Sequence, residues 1–378
     1  MKQGWEIKTL LEVSVSIEDG DWIEKKDQST SGIRLIQTGN IGLGYYKDKG
    51  EKAKYISEDT FAKLKCTELT IGDVLVSRLP DPVGRACILP DLGVRCITAV
   101  DCSIIKLKQD IIYPQWFVYY SLSSEYGANI KKECSGTTRD RISRKKLSCI
   151  TVPTPTLAEQ KRIVKILDRE FEKIDALKAN AERSLQQAKD LFQSALKQEL
   201  QCDKYHNLNE VYNIKTGKLN SNAAEDGGIY PFFTCSREIF AINTYAFDCE
   251  AILLAGNNAS GDFNVKYYNG KFNAYQRTYI ITAKKAGINV RILYYILTNY
   301  LTTLKKMSLG ANTKFLKLGM IETILIPNFD ETHMSLVVGR LDDLSKNCKK
   351  LEENYTKTMA LCDDMKQALL RQAFNGEL

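Results

Sequence analysis

The chain has 378 residues, of which 44% are apolar and 26% charged, and its formal net charge is +7. This length suffices for two or three domains with hydrophobic cores, and the composition is typical of a soluble globular protein. No run of about 18 apolar residues occurs, so we expect no membrane span, and the N-terminal stretch predicts no secretory signal. The 11 cysteines contain no Cys-x-x-Cys pair and only two histidines are present. This pattern argues against structural zinc and a disulfide framework, and it favours free thiols in a reducing cytoplasm.

The first part of the chain predicts a mixed α/β unit. LTIGDVLVSR (69–78) and CSIIKLK (102–108) run or alternate apolar with β-branched residues, as strands do. A helix candidate, YPQWFVYYSL (113–122), follows. Next come a basic stretch (131–146) with a glycine loop at Gly136, and a short strand that ends in proline. Basic side chains beside Gly, Ser and Thr are typical of phosphate contacts, although a solvated surface gives the same composition.

A long helix is predicted after this unit. Thr156 and Glu159 form a capping box, and neither Gly nor Pro occurs from Leu157 to Leu200. Positions at alternating steps of four and three residues form a coiled-coil seam, in which eight of ten are apolar. These positions are Leu167, Phe171, Ile174, Lys178, Ala181, Leu185, Ala188, Phe192, Ala195 and Glu199.

The second half of the chain repeats the first. EAILLAG (250–256) and RTYIITA (277–283) predict strands, and VRILYYILTNYL (290–301) predicts a helix. Gly310 lies 174 residues after Gly136, and a second long helix follows with its seam at the same offset. That seam consists of Leu341, Ser345, Cys348, Glu352, Tyr355, Met359, Cys362, Lys366, Leu369 and Ala373.

The repeat predicts an α+β fold with two pseudo-symmetric mixed α/β domains, separated by two long antiparallel coiled-coil helices. The expected domains are 1–153 and 202–327, with spacer helices at 154–201 and 328–378. We expect Lys178 and Glu352, which carry opposite charges near the middle of the two seams, to approach each other and set the register. Independent dimerisation arms are the alternative for the two helices.

An internal twofold suits a protein that reads two half-sites in duplex DNA, because a rigid rod holds two readers at a fixed gap. The two glycine loops differ in side chains, as an asymmetric bipartite target requires, since Arg pairs with guanine and Asn or Gln with adenine. In the first domain the candidate DNA-binding residues are Gln37, Asn40, Ser77, Arg78, Arg85, Thr137, Thr138, Arg139 and Arg141. In the second they are Asn257, Asn258, Ser260, Lys266, Tyr275, Gln276, Arg277, Asn312, Thr313 and Lys314. Surface ion pairs for Arg78 and Arg85, and ordinary hairpin turns for the Asn-Gly stretches, are the alternatives.

Motifs for catalysis are missing from the sequence. It contains no N-P-P-[FY] or D-P-P-[FY] turn of an adenine methyltransferase, no G-x-x-x-x-G-K-[ST] phosphate loop and no nuclease core, and two histidines leave little for general base catalysis. We therefore expect a non-catalytic chain without a metal site or a cofactor of its own.

Five stretches carry a resemblance to a known family. They are Trp5 with Leu10, Glu12 and Val13; IQTGNIG (36–42); SGTTRDRIS (135–143) with ITVPTP (150–155); LAEQKRIV (157–164); and MKQALLRQAFNGEL (365–378). With these motifs the chain resembles, over essentially its whole length, the specificity subunit of Type I restriction–modification systems. The second copy departs from the pattern, because His333 and Met334 stand where the first has Glu159 and Gln160.

The resemblance implies that the globular domains are target recognition domains, each reading one half of a split DNA target in a bacterial or archaeal cytoplasm. It also implies that the long helices set the gap and dock partners. Two modification subunits would bring S-adenosylmethionine and methylate adenine, and a motor–nuclease restriction subunit would bring ATP and magnesium. Two alternatives remain: a DNA-recognition subunit of another phage-defence complex, and a coiled-coil adaptor that binds no DNA. Co-purification with a methyltransferase in twofold excess would separate the first, and salt-dependent duplex binding the second.

Overall fold

The computed structural model describes residues 4–136 and 139–378. They form two compact units, one made of residues 4–181 with 357–378 and the other of Glu182–Thr356. Each unit therefore contains a globular part together with a portion of both long helices. No helix in the described ranges has the length and apolarity needed to cross a membrane.

The first unit contains short strands arranged in three sheets. Its strands are β1 (Glu6–Thr9), β2 (Ser14–Asp19), β3 (Ile33–Ile36), β4 (Lys54–Ile56), β5 (Val74–Ser77), β6 (Ala86–Ile88), β7 (Cys96–Thr98), β8 (Cys102–Leu107) and β9 (Thr151–Thr154). The sheet orders are β2-β8-β5-β6, β4-β3-β7 and β1-β9. All pairs are antiparallel except β3 with β7.

Five helices begin in this unit in the described residues. They are α1 (Glu58–Leu64), α2 (Pro114–Tyr120), α3 (Ser124–Glu133), α4 (Arg144–Ser148) and the start of α5 (Leu157–Glu199). Pro114 occupies the first turn of α2, where its missing N–H costs nothing, and the Ser123 hydroxyl caps α3. The core is aromatic, with Trp116, Phe117 and Tyr126 fully or almost fully buried.

The second unit contains a continuous six-stranded sheet. Its strands are β10 (Tyr205–Asn207), β11 (Tyr212–Thr216), β12 (Tyr230–Phe233), β13 (Phe240–Ile242), β14 (Phe247–Ala255), β15 (Asn257–Asn258), β16 (Val265–Ala274), β17 (Thr278–Ala283), β18 (Lys314–Phe315) and β19 (Leu325–Pro327). The main sheet has the order β11-β17-β14-β16-β12-β13, and β10-β19 and β15-β18 form separate pairs. Its helices are α6 (Leu208–Val211), α7 (Val290–Met307), α8 (Leu318–Glu322) and α9 (Glu331–Asn375), which ends in the first unit.

The two long helices pair antiparallel in both units. In the first, the Lys366 ammonium lies 2.5 Å from the Asp175 carboxylate, and Lys178 lies 2.6 Å from Asp363. In the second, Arg340 lies 3.5 Å from Glu199. Residue numbers fall on one helix as they rise on the other. Every predicted seam position on both helices is buried or half-buried, so the predicted fold class is confirmed.

The register of the pair differs from the sequence prediction. Lys178 has Asp363 as an ion-pair partner, not the predicted Glu352. Glu352 instead lines a small cavity together with Lys189. The opposite charges of Lys178 and Glu352 suggested a contact, but packing of the apolar seam residues decides which positions face each other.

Candidate nucleic-acid interface

A glycine with positive φ stands at corresponding positions in both units, 174 residues apart. Gly136 has a φ of +140° and Gly310 a φ of +101°, a region that side chains rarely adopt. A Cβ at Gly136 would lie 2.1 Å from the carbonyl oxygen of Arg139, and a Cβ at Gly310 would lie 2.0 Å from that of Thr313. Each loop therefore needs glycine at this position.

The same kind of backbone bridge closes each loop. In the first unit Ser135 pairs with Arg141, and in the second Leu309 pairs with Phe315, with N–H to carbonyl distances of 2.9 to 3.1 Å. These bridges also lie 174 residues apart, so the repeat holds for the loop and not only for the helices. The chain thus presents two similarly built loops that carry different side chains.

In the first unit, the loop presents basic side chains. Arg139 and Arg141 are both exposed, and Arg141 forms an ion pair with Asp101 at 2.9 Å. Arg139 lies at a cavity of about 670 Å³ that Lys131 and Asp140 also line. The predicted contacts Thr137 and Thr138 lie outside the described residues.

Three other candidates in this unit, Asn40, Ser77 and Arg78, are buried and make hydrogen bonds within the fold, and DNA contact by them stays a prediction. Asn40 donates from its amide to the carbonyl of Lys47 at 3.0 Å and accepts from the backbone N–H of Gln37. Ser77 is fully buried and donates its hydroxyl to the carbonyl of Leu79. Arg78 is buried beside Asp19, 3.4 Å away, and donates to the carbonyl of Val100. Of the turn candidates only Gln37 keeps partial exposure.

Arg85 is the clearest case of a structural role. Its guanidinium is buried and donates to four carbonyl oxygens at 2.7 to 2.9 Å, those of Thr38, Ile41, Leu79 and Pro82. Burial lowers the pKa of Arg85. The guanidinium therefore holds two loops together, and the side chain also lines the cavity at Arg139.

In the second unit, the fold brings two predicted loops together. Asn257 pairs with Phe315, and Asn258 pairs with Lys314, so the strands β15 and β18 join segments that are far apart in sequence. Asn312 and Thr313 are exposed beside them. The Asn258 side-chain oxygen accepts from the Ser260 N–H and hydroxyl and from the Asp262 N–H, at 2.9 to 3.0 Å. Asn258 therefore shapes the loop, and its neighbours present the polar surface.

Of the remaining candidates in this unit, some are exposed and one is held by hydrogen bonds within the fold. Gln276 and Arg277 are exposed, and Tyr275 is half-buried. Lys266 is tied down, because its ammonium donates to the carbonyl of Ser236 and to the side-chain oxygen of Asn264, each at 2.5 Å. Burial lowers the pKa of Lys266. This lysine supports the 235–237 turn and has few donors left for a ligand.

Sequence reasoning missed two basic residues near these loops. Arg237 is exposed and binds Asp262 at 2.6 Å, which places it beside the loop after β15. The stem of Lys305, at the C-terminal end of α7, lies 3.4 Å from an ideal Cβ at Gly261. Neither stands in a glycine loop. In the sequence, the adjacent lysines Lys305 and Lys306 at the end of a helix could have indicated this basic surface.

The chemistry of both surfaces is hydrogen bonding and positive charge. Within the described part of the chain no group of three or more His, Cys, Asp or Glu side chains could hold a metal ion. Arginine, lysine and amide side chains on closed loops can donate to phosphates and to base edges.

Comparisons with known proteins identify the family of the chain. A family model described as the Type I restriction modification DNA specificity domain matches residues 2–187 and 204–354. The chain is 36% identical over 171 residues to the Type I restriction enzyme EcoDI specificity subunit of Escherichia coli, covering 45% of this chain and 37% of that protein. It is 27% identical over 194 residues to the MjaVIII specificity subunit of Methanocaldococcus jannaschii, covering 50% and 44%. The matched stretches therefore span less than half of these two relatives.

A third relative and two solved structures match over more of their length. The StySPI specificity subunit of Salmonella potsdam is 23% identical over 327 residues, covering 76% of this chain and 70% of that protein. A chain from a structural study of complex assembly and conformational transition of the type I R-M system aligns with a TM-score of 0.80 at 16% identity, covering 100% and 99%. The HsdS subunit from Thermoanaerobacter tengcongensis aligns with a TM-score of 0.59 at 16% identity, covering 100% and 98%. These two structures support the fold.

Proposed function

Because the chain belongs to the family of Type I restriction–modification DNA specificity domains, we propose that it reads a bipartite, asymmetric sequence in double-stranded DNA. Each unit reads one half of the target through its glycine loop and the neighbouring exposed polar residues. The chain supplies specificity, and partner subunits supply the catalysis.

The observation that carries this proposal is the repeated loop. Gly136 and Gly310 have similar backbones and similar close approaches to a carbonyl oxygen, but the side chains that follow differ. Arg139 and Arg141 suit guanine and phosphate, whereas Asn312 suits adenine. A split target with unlike halves requires two similarly built loops that carry different side chains.

The partners follow from the same proposal. Two modification subunits carry S-adenosylmethionine and methylate adenine in the target, and a motor–nuclease restriction subunit carries ATP and magnesium. The antiparallel helices α5 and α9 supply the rod against which such partners dock, and its length contributes to the gap between the half-sites.

The test is to map N6-methyladenine in the genome of cells that carry single variants of this chain. Arg139→Ala should weaken or relax reading of one half-site only, and Asn312→Ala should do the same for the other half-site. A basic residue on the surface of α5, Arg169, provides the matched control, since Arg169→Ala should leave the methylated sequence unchanged. Equal loss at both half-sites with either variant would contradict modular reading.

A second measurement addresses DNA binding directly. Binding of the purified complex to a duplex that contains the mapped target should fall steeply with salt, because phosphate contacts release counterions. Binding that is indifferent to salt would contradict the proposal.

A further inference from the structure

A groove in the first unit combines carboxylates with exposed apolar side chains. It has a volume of about 740 Å³ and runs between the turn at Leu43 and Tyr45, the helix α2, and the two long helices. We call it the acidic groove, defined by Leu43, Tyr45, Asp168, Glu172, Asp175 and Asp363.

Negative charge dominates this groove. Four carboxylates line it, and Lys366 is the one ammonium among its described lining residues. Asp175 and Asp363 form ion pairs with Lys366 and Lys178, but their side chains remain 61% and 63% exposed. Exposed carboxylates keep a capacity for further cations, and in the lining of this groove they outnumber the ammonium groups.

Two large apolar side chains stand at the rim. Leu43 is 54% exposed and Tyr45 is 57% exposed, and both line the groove. They lie on a short turn in which Gly44 has a φ of +85°, so the backbone itself presents them. Exposed apolar groups rimmed by polar ones are typical of surfaces that bind another protein.

The repeat shows that the fold does not require these charges. The positions 174 residues after Glu172 and Asp175 are Lys346 and Lys349, and the position 174 residues before Asp363 is Lys189. Lys189 and Lys349 line the corresponding cavity in the second unit, which has a volume of about 180 Å³. The same helix positions therefore carry opposite charges, and the wide groove occurs on the acidic side.

We propose that the acidic groove binds a basic segment of a partner protein. Lys or Arg side chains of that segment pair with Glu172, Asp175 and Asp363, and an apolar side chain packs against Leu43 and Tyr45. DNA is a poor occupant, because its phosphates would face the carboxylates. This interface goes beyond sequence reading, since it gives the first unit a partner contact that the second unit does not share.

Photo-crosslinking in living cells tests the proposal on the full chain in its native host. A photoreactive phenylalanine analogue is placed at position 43 or 45, and mass spectrometry identifies the crosslinked peptide. We expect both positions to crosslink one segment of a protein other than this chain, with at least two Lys or Arg residues near the crosslink.

Charge variants decide whether the carboxylates are responsible. Glu172→Lys with Asp175→Lys installs the residues found at the repeat-related positions, and it should lower the crosslink yield about tenfold or more, because like charges would then face each other. Glu170→Lys with Lys173→Glu exchanges the charges of an ion pair on α5 whose residues do not line the groove, and it keeps the net charge. It therefore serves as the matched control and should retain most of the yield. Thermal unfolding of both variants confirms that the first unit is folded.

Several results would overturn the inference. They are crosslinks to DNA, to a second copy of this chain or to a segment without basic residues, no crosslink at either position, or a yield unchanged by Glu172→Lys with Asp175→Lys. DNA binding separates this outcome from failure of sequence reading, because the groove variants should leave salt-dependent binding of the purified chain to a duplex with the mapped target unchanged.

Discussion

In the first unit β6 ends at Ile88 and a separate strand, β7, begins at Cys96, whereas in the second unit β16 alone runs from Val265 to Ala274. The pairings otherwise correspond: β5 pairs with β6 as β14 does with β16, and β3 pairs parallel with β7 as β12 does with β16. In the second unit β16 therefore makes the pairings that β6 and β7 make separately in the first. Pro90 and Gly93, which has a φ of +66°, interrupt the ladder in the first unit, because proline has no N–H to donate.

The consequence concerns how the recognition loops are supported. In the first unit, the buried Arg85 bridges the loops that follow β3 and β5 by donating to their carbonyl oxygens. In the second unit, the Asn258 side chain shapes the loop after β15. The lesson is that one architecture tolerates different local solutions, so that arginines in the two units have different roles.

The largest expected effect follows from that bridge. Arg85→Met should reduce the free energy of unfolding of the first unit by about 4 kcal/mol, because several buried carbonyl oxygens lose their donor. Hydrogen exchange of the strands in this unit measures the loss. The exposed Arg277 in the second unit is the control, and Arg277→Met should change stability by less than about 0.5 kcal/mol. Equal effects of the two variants would refute the contrast between the units.

The two units also differ at the start of their long helices, where Gln160 in the first unit corresponds to Met334 in the second. Gln160 is fully buried, accepts from the Tyr113 N–H and donates to the carbonyls of Ile111 and Pro155. Gln160→Ala should destabilise the first unit by about 3 kcal/mol in denaturant unfolding, because these backbone groups become unsatisfied. Met334, the repeat-related residue, is half-buried, so Met334→Ala should cost only about 1 kcal/mol. A larger loss for Met334→Ala would reverse the comparison.

Replacing the loop glycine by alanine should destabilise either loop, and Gly310 provides the test. Gly310→Ala should cost about 2 kcal/mol of local stability, because its φ is +101° and the Cβ would collide with the Thr313 carbonyl. It should also abolish reading of the half-site assigned to the second unit. Gly319 on α8 has open space around its Cβ, so Gly319→Ala is the control and should be neutral or stabilising. Methylation mapping and thermal unfolding provide the two readouts, and wild-type methylation by Gly310→Ala would be inconsistent with the proposed role of the loop.

The smallest expected effect is a loss of stability at acid pH that depends on Asp342. Burial acts to raise the pKa of Asp342, but Arg291 and the Tyr295 hydroxyl outweigh it and hold this pKa below its usual value of 3.8. A depressed folded pKa contributes stability that is present above 3.8 and is lost as pH falls through the lower folded value. Asp342→Asn should remove this dependence and cost about 1 kcal/mol at neutral pH. Unfolding midpoints between neutral and acid pH measure it, with the exposed neighbour Asp343→Asn as control; a parallel profile for both variants would rule out the assignment.

The sequence by itself determined the repeat, the seam of the two helices and the glycine positions. Heptad spacing is a local property, and so is the backbone freedom that Gly136 and Gly310 supply. The tertiary structure alone decided which polar residues face solvent. Arg85 is buried because carbonyls 44 and 47 residues away, at Ile41 and Thr38, converge on it, and β15 meets β18 because the second unit folds two distant loops onto one edge. Such convergence depends on packing between segments far apart in the chain, and no local pattern encodes it.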